Sequence, residues 1–108
     1  MKNSLNRIVY VNGDYVKEEN AVISVFDRGF IFGDGIYEVV PVINGKLVDK
    51  QYFLERLERS LDELSIAWPC CREEYIAVLN QLIIKNNVQE GIVYSQVTRG
   101  VADRDFPF

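Results

Sequence analysis

The 108-residue sequence contains no histidine, which limits the side chains that could do chemistry. Histidine is the commonest general base, so its absence removes every Ser-His or Cys-His arrangement for nucleophilic catalysis. Two adjacent cysteines, Cys70 and Cys71, lack the second cysteine pair or the histidines that complete a zinc site. Neighbouring cysteines rarely form a disulfide, and both are expected to be reduced thiols. Chemistry here therefore needs lysine, tyrosine, aspartate or glutamate side chains, or a cofactor.

A glycine cluster in residues 27–40, DRGFIFGDGIYEVV, raises the question of phosphate binding. A phosphate-binding loop follows a strand and opens a helix, so that free amides and the helix dipole face the anion. Here the residues that follow, 36–43, are β-branched and aromatic and include a proline, which is typical of a strand. The context argues against a dinucleotide loop. Gly29, Gly33 and Gly35 are expected instead to form a tight, partly left-handed turn into a sheet.

The strands that would position these residues are predicted from apolar runs and turn signals. Asn-Gly pairs at 12–13 and 44–45 predict two hairpins. Strands are predicted at residues 7–11, 15–16, 36–43, 46–48 and 92–98, with a further short edge strand at 21–26.

Two helices are predicted between the strand at residues 46–48 and the strand at residues 92–98. The first begins at Lys50 with Asp49 as its N-cap, and its core-facing stripe is Phe53, Leu54, Leu57, Leu61 and Leu64. The second runs from about Glu73 to Lys85, with Ile76, Leu79, Leu82 and Ile83 as its apolar residues. This order of strands, two helices and a strand predicts an α+β fold with an antiparallel sheet of hairpins, rather than a doubly wound sheet.

Length and charge limit the classes of partner. The chain has the size of one domain, and residues 1–108 show no internal boundary. The net charge of −4 argues against nonspecific nucleic-acid binding, which needs a basic face. No apolar run approaches the length of a membrane span, and the N-terminus lacks the apolar core of a signal peptide. We therefore expect a cytoplasmic protein with neither nucleic acid nor membrane as a partner.

Four motifs occur in order along the chain: DRGFIFGDGIYEVV, INGKL, FLERLERS and QVTRGVADRD. Together they resemble the class IV aminotransferases, the pyridoxal-phosphate enzymes that include D-amino acid, branched-chain and aminodeoxychorismate-lyase members. The resemblance runs from about Val11 to Phe108, is to the smaller N-terminal domain, and points to the D-amino acid enzymes in particular. It implies that the cofactor lysine, the carboxylate facing the pyridine nitrogen and the helix-end phosphate site belong to a larger C-terminal domain outside this sequence.

The resemblance assigns roles to four residues. Arg56 matches the arginine that binds the cofactor phosphate, although the helix pattern alone would make it a solvated arginine beside Glu55. Tyr37 matches a tyrosine facing the substrate carboxylate, although the strand pattern alone would make it a packed core aromatic. Val39, on the same strand face as Tyr37, would line the side-chain pocket. Arg104 matches a loop arginine that reaches the substrate α-carboxylate, typically in the partner subunit's active site; without the family it is a loop charge.

One departure from the D-amino acid enzymes lies in the loop that carries Arg104. Their loop usually reads Arg-x-His, and both residues help to bind the carboxylate, whereas this chain reads Arg104-Asp105-Phe106. Phenylalanine cannot donate a hydrogen bond. Either the carboxylate is held less tightly, another group replaces the histidine, or the substrate differs. The acidic residues of the glycine stretch receive no acid–base role, and Asp34, between two glycines, is expected to form a turn.

The resemblance implies a homodimeric, pyridoxal 5'-phosphate-dependent enzyme that transfers an amino group from a D-amino acid such as D-alanine to a 2-oxo acid. The alternatives on the same fold are a branched-chain aminotransferase, an (R)-amine transaminase and aminodeoxychorismate lyase. A terminal Phe-Pro-Phe is unusual for a solvated chain end and indicates a fragment that is inactive by itself. If the gene instead ends at Phe108, the expected protein is a non-catalytic binding domain.

Overall fold

The computed structural model describes residues 6–101 and has the predicted α+β architecture. Its strands are β1 (Ile8–Val11), β2 (Asp14–Lys17), β3 (Gly35–Ile43), β4 (Lys46–Leu47) and β5 (Glu90–Thr98), and its helices are α1 (Arg28–Phe32), α2 (Lys50–Leu64) and α3 (Arg72–Lys85). A single 3₁₀ turn at Glu18–Asn20 follows β2. Among the described residues, no helix is both long and apolar enough to cross a membrane.

The strands form two antiparallel sheets rather than one. Strands β1 and β2 form a hairpin, and the second sheet has the order β4-β3-β5. Its longest ladder joins β3 to β5, from Gly35 opposite Thr98 to Ile43 opposite Glu90. Both Asn-Gly pairs form the predicted hairpin turns, and all of their residues have positive φ, as a type I′ turn requires.

The core lies between one face of the β4-β3-β5 sheet and the two long helices. From α2, the predicted stripe buries Phe53, Leu57 and Leu61, while Leu64 at the helix end is exposed. From α3 the buried residues are Tyr75, Leu79 and Ile83. They pack with Val40 and Val42 of β3 and with Val93 and Val97 of β5. Burial of these side chains is the main force that holds the helices on the sheet.

Two predictions before β3 are wrong. Residues 21–26 form no strand, and their apolar side chains Val22, Ile23, Val25 and Phe26 are exposed. The glycine stretch is not only a turn, because it contains the short helix α1. The Asp27 carboxylate accepts a hydrogen bond from the Gly29 amide at 2.8 Å, which starts the helix in the manner of an N-cap. Gly33 ends it with the left-handed φ of 65° that was expected of this stretch.

The predicted cap at Asp49 is also wrong, although α2 does begin at Lys50. Asp49 has a φ of 54°, and its side chain makes no capping hydrogen bond. A capping residue needs an extended backbone so that its side chain can reach the second or third amide of the helix. The left-handed turn from β4 into α2 removes that geometry, and only the Asp49 carbonyl oxygen contacts the helix, at 3.1 Å from the Phe53 amide nitrogen.

We expect Gly35→Ala to destabilise the protein by about 2 kcal/mol, because the added methyl group overpacks the ladder between β3 and β5. A Cβ at Gly35 would lie 2.8 Å from the Val97 carbonyl oxygen, which is backbone and cannot move aside. The matched control is Gly91→Ala in β5, where the nearest atom is a Val88 methyl group at 3.3 Å. Urea denaturation should show a change below about 1 kcal/mol for the control. Equal effects of the two substitutions would contradict this account.

Candidate functional site

Strand β3 presents two different faces, and the alternation of its side chains determines which residues could meet a ligand. Glu38, Val40 and Val42 point toward the helices and are buried. Tyr37 and Val39 point the opposite way, as period-2 alternation requires, and Tyr37 is 65% exposed. Tyr37 is therefore not a packed core aromatic, which was the interpretation favoured by the strand pattern alone.

The open face of the sheet continues from β3 onto β5. Tyr94 lies opposite Val39 in the ladder, and Gln96 lies opposite Tyr37. The rings of Tyr37 and Tyr94 are stacked, with centroids 5.6 Å apart and an angle of 14° between the ring planes. The Tyr94 hydroxyl donates a hydrogen bond to the Gln96 side-chain oxygen at 3.2 Å. This face offers aromatic surface together with hydroxyl and amide groups, a combination suited to a small organic ligand.

Arg56 reaches from α2 to β3 and pairs with Glu38, whose side chain is on the side of the strand that faces the helices. Its Nε donates to the Glu38 Oε1 at 2.6 Å, and one of its terminal guanidinium nitrogens donates to the Val39 carbonyl oxygen at 3.1 Å. The guanidinium carbon lies 5.3 Å from the centroid of the Tyr52 ring, which belongs to the preceding turn of α2. Arg56 is thus anchored rather than freely solvated, in contrast to the interpretation from the helix pattern alone.

The Arg56 guanidinium nevertheless remains accessible, since 37% of its side chain is exposed. The hydrogen bond to Glu38, followed by the attraction of its charge, raises the pKa of Arg56 above its ordinary value. An arginine is cationic at any physiological pH in any case. What the site offers is a fixed cation with N–H donors that neither Glu38 nor Val39 uses, which is a suitable partner for a carboxylate or phosphate.

Beneath the sheet, Glu38 belongs to a row of polar side chains within the apolar core. Ser95 lies opposite Glu38 in the ladder, and its hydroxyl is hydrogen-bonded to the hydroxyl of Tyr75 from α3. Burial raises the pKa of Tyr75, although the bond to Ser95 opposes that effect. Buried polar groups are stable only when they are paired. Each member of this row has such a partner: Glu38 has Arg56, and Ser95 has Tyr75.

A second polar cluster joins the glycine stretch to the end of β5. The Asp34 Oδ2 accepts hydrogen bonds from the Nε atoms of Arg28 at 3.0 Å and of Arg99 at 2.7 Å. Arg99 also donates to the carbonyl oxygens of Leu64 and Ser65 at the C-terminal end of α2. Asp34 lies between α1 and β3, where a turn was predicted, and it also connects α1, β5 and α2.

Three of the four residues predicted from the sequence lie among the described residues, two on β3 and one on α2. Arg56 contacts the backbone of Val39, and Tyr37 lies on the same strand face as Val39. Arg104 lies outside the described residues, as do Phe106 and Phe108. Two further residues, Glu38 and Tyr94, received no role from the sequence. A charged residue at a core-facing position of β3, in register with Val40 and Val42, was the available signal for Glu38.

The described part of the chain contains no group of three or more cysteine, aspartate or glutamate side chains placed to hold a metal ion. Cys70 is half-buried and Cys71 is exposed, and both are free thiols. The candidate site therefore consists of Tyr37, Val39 and Tyr94 on the open face of the sheet, and of Arg56, which contacts β3 from α2.

Comparisons with known proteins identify the family to which this chain is similar. Residues 35–108 match the sequence model of the amino-transferase class IV family. D-alanine aminotransferase of Staphylococcus epidermidis is 42% identical over 100 residues, which are 93% of this chain and 36% of that relative. The chain thus spans about a third of the length of the curated relatives it matches.

Solved structures of enzymes with similar folds superpose on this chain. The branched-chain amino acid aminotransferase of T.th., complexed with N-(5'-phosphopyridoxyl)-L-glutamate, superposes with a TM-score of 0.84 over 94% of this chain and 35% of its own, at 16% identity. The 4-amino-4-deoxychorismate lyase of Pseudomonas aeruginosa superposes with a TM-score of 0.61 over 81% of this chain and 31% of its own, at 30% identity. The first of these likenesses bears on the fold alone.

Proposed function

We propose, from the premise that this chain belongs to the class IV aminotransferase family, that it is the N-terminal domain of a pyridoxal-phosphate-dependent D-amino acid aminotransferase. The full protein would transfer an amino group from a D-amino acid such as D-alanine to a 2-oxo acid such as 2-oxoglutarate. The observation that carries the proposal is the anchored Arg56 beside the strand that bears Tyr37 and Val39, in a chain 42% identical to a D-alanine aminotransferase.

The residues present fit the phosphate of the cofactor. Arg56 is a partly exposed cation whose guanidinium is held in place by two hydrogen bonds, and a fixed guanidinium is a good donor to phosphate oxygens. We assign Arg56 to the phosphate of pyridoxal 5'-phosphate. The cofactor, when bound, supplies the electron sink that makes the α-proton of an amino acid removable. The lysine that would hold it belongs, in this proposal, to the rest of the protein.

The other site residues would bind and orient the substrate. The Tyr37 hydroxyl, on the open face of the sheet, would donate a hydrogen bond to the substrate carboxylate. Arg104 would pair with the same carboxylate, because a guanidinium matches its two oxygens. Val39 would pack against the substrate side chain. Holding the carboxylate at one end and the side chain at the other selects which face of the amino acid meets the cofactor.

The domain boundary and the assembly belong to the same proposal. Residues 1–108 would form one N-terminal domain, and a larger C-terminal domain would complete the site, which accords with relatives about three times as long as this chain. The active protein would be a homodimer, with Arg104 reaching the partner's site. The chain by itself would bind no cofactor covalently and would be inactive. The expected location is the cytoplasm.

A second candidate function is that of an aminodeoxychorismate lyase. It is favoured by 30% identity to the lyase of Pseudomonas aeruginosa and by Phe106, which stands where the D-amino acid enzymes usually have histidine. A lyase and an aminotransferase of this family would share the phosphate contact of Arg56. They would differ in whether the amino group stays on the cofactor after the product leaves.

The experiment uses the full-length protein loaded with pyridoxal phosphate. D-alanine and L-leucine are added separately, and the absorbance of the bound cofactor is followed together with release of the 2-oxo acid. Conversion to pyridoxamine phosphate with D-alanine alone supports the proposal. Conversion with L-leucine alone would assign the protein to the branched-chain enzymes. If neither amino acid reacts, aminodeoxychorismate is tested next, and release of 4-aminobenzoate would favour the lyase.

We expect Tyr37→Phe to raise KM for D-alanine about tenfold, because one hydrogen bond to a charged carboxylate contributes about 1.5 kcal/mol. The value of kcat should change less, since the hydroxyl binds the substrate and not the reacting bond. The control is Tyr94→Phe, which keeps the stacked ring and removes a hydroxyl already bonded to Gln96. Both variants are compared with the wild type by steady-state kinetics with D-alanine. An equal rise in KM for Tyr94→Phe would contradict the role of Tyr37.

A further inference from the structure

We infer that Glu38 is a positioning residue that holds Arg56 in the orientation needed to bind the phosphate of the cofactor. This inference rests on the proposed function, because it assumes that Arg56 meets that phosphate. Glu38 is not expected to touch the cofactor itself. It acts through the guanidinium, and its effect should therefore disappear when Arg56 is absent.

The first observation is the burial of Glu38. Its side chain is 10% exposed and lies on the core-facing side of β3, where the neighbouring positions hold Val40 and Val42. Burying an ionised carboxylate is strongly unfavourable unless it is paired and hydrogen-bonded. A valine would satisfy the core at this position without that cost. The carboxylate must therefore be explained by its partner, which is Arg56.

The second observation is the geometry of the pair. Glu38 engages the Nε of Arg56 at 2.6 Å, while Val39 accepts from one terminal nitrogen at 3.1 Å. Two contacts on neighbouring nitrogens fix both the position and the plane of the guanidinium. The guanidinium has further N–H donors beyond these two, and 37% of the Arg56 side chain is exposed. Glu38 and Val39 thus occupy one edge of the guanidinium and leave another for an anion.

The third step concerns what this fixation contributes. A solvated arginine loses much of its rotamer entropy when it binds an anion. An arginine already held by Glu38 has lost most of that freedom in the folded protein, so phosphate binding costs less. The negative charge of Glu38 opposes phosphate binding, because it offsets part of the charge of Arg56. Two substitutions distinguish the fixation of Arg56 from the repulsion of the phosphate. Glutamine at position 38 keeps a hydrogen-bond acceptor without the charge, and leucine keeps neither.

The test compares Glu38→Gln and Glu38→Leu in the full-length protein. Affinities are measured for pyridoxal phosphate and for pyridoxal, which lacks the phosphate. Glu38→Leu should weaken pyridoxal phosphate about tenfold and leave pyridoxal unchanged. Glu38→Gln should stay within about threefold of the wild type, because its amide oxygen can still accept from Arg56. Leucine suits this core-facing position, so the variant should fold, and its thermal unfolding is measured alongside.

A double mutant decides whether Glu38 acts through Arg56. In an Arg56→Gln background, adding Glu38→Leu should cause no further loss of affinity for pyridoxal phosphate, because the positioned group is gone. A further loss in that background, or an equal loss for pyridoxal, would show a structural role and overturn the inference. A wild type that binds pyridoxal as tightly as pyridoxal phosphate would overturn the proposed function and this inference with it. A wild type that prefers the phosphate, with Glu38→Leu unaffected, would overturn this inference alone.

Discussion

Replacing Arg56 with glutamine is expected to weaken the binding of pyridoxal phosphate to the full-length protein by about 100-fold. The change would remove the charge-assisted hydrogen bonds that Arg56 is proposed to donate to the phosphate. Two such bonds at about 1.5 kcal/mol each total about 3 kcal/mol, which corresponds to a factor of roughly 100 in affinity. Equilibrium dialysis, with the absorbance of the bound cofactor as readout, measures the effect. Glutamine is long enough to keep a polar group near Glu38. The free energy of unfolding should therefore change little, and the loss of cofactor affinity should not result from unfolding.

The matched control for Arg56 is Arg59→Gln. Arg59 lies on the same helix and carries the same charge, but it is exposed and makes none of the contacts to β3. Its replacement should change cofactor affinity less than twofold, since exposed charges contribute little. Arg56→Lys should fall between, at about a tenfold loss, because an ammonium keeps the charge but cannot bridge Glu38 and a phosphate with a planar fork. If Arg56→Gln and Arg59→Gln behaved alike, the phosphate would have to bind elsewhere.

The second large effect is expected for Asp34→Asn, which should lower the free energy of unfolding at neutral pH by about 3 kcal/mol. Asp34 accepts from Arg28, whose side chain is only 4% exposed, and from Arg99. Asparagine removes the negative charge and leaves the buried Arg28 cation with less compensation. The exposed pair of Arg7 and Glu18 gives the control: Glu18→Gln should leave the free energy of unfolding nearly unchanged, because both side chains of that pair are in contact with solvent.

The pH dependence of Asp34 gives the same prediction a second readout. The hydrogen bond from Arg99, aided by Arg28, holds the pKa of Asp34 below the ordinary value of an aspartate. A carboxylate with a depressed folded-state pKa contributes its full stabilisation above its unfolded pKa, about 3.9, and loses it as the pH falls through the folded-state value. The difference between wild type and Asp34→Asn should therefore be constant from about pH 5 to 8 and shrink below about pH 4. A difference that persists undiminished in acid would exclude the ion pair as its cause.

The position of Asp34 also connects stability to the site. The Arg28 amide donates to the Gly100 carbonyl oxygen at 2.7 Å, and Asp27 forms an isolated bridge with Val101. Val101 precedes Arg104 by three residues in the sequence. The cluster around Asp34 thus fixes the last described residues before the segment that is proposed to bind the substrate carboxylate.

Local patterns were sufficient where neighbours in the sequence decide the structure. Both Asn-Gly hairpins, the long strands β3 and β5 and the stripe of α2 were predicted, because turn geometry and side-chain periodicity are short-range properties. The same patterns were insufficient at α1 and at residues 21–26. The Arg28 amide at the start of α1 donates to Gly100, far along the chain, and no local pattern shows this contact. The apolar run at 21–26 resembles a strand, but a strand needs a partner, and none is present among the described residues.

The sequence by itself determined the α+β class, the family resemblance and the alternation that puts Tyr37 and Val39 on one face of β3. Only the tertiary structure decided that this face is open, because exposure depends on where α2 and α3 pack and not on the strand's own pattern. It also decided that Arg56 is anchored, since its partner Glu38 is 18 residues away in the sequence and comes near only when α2 folds onto the sheet. Ion pairs between residues distant in the sequence depend on how the elements pack, and a local sequence pattern does not predict that packing.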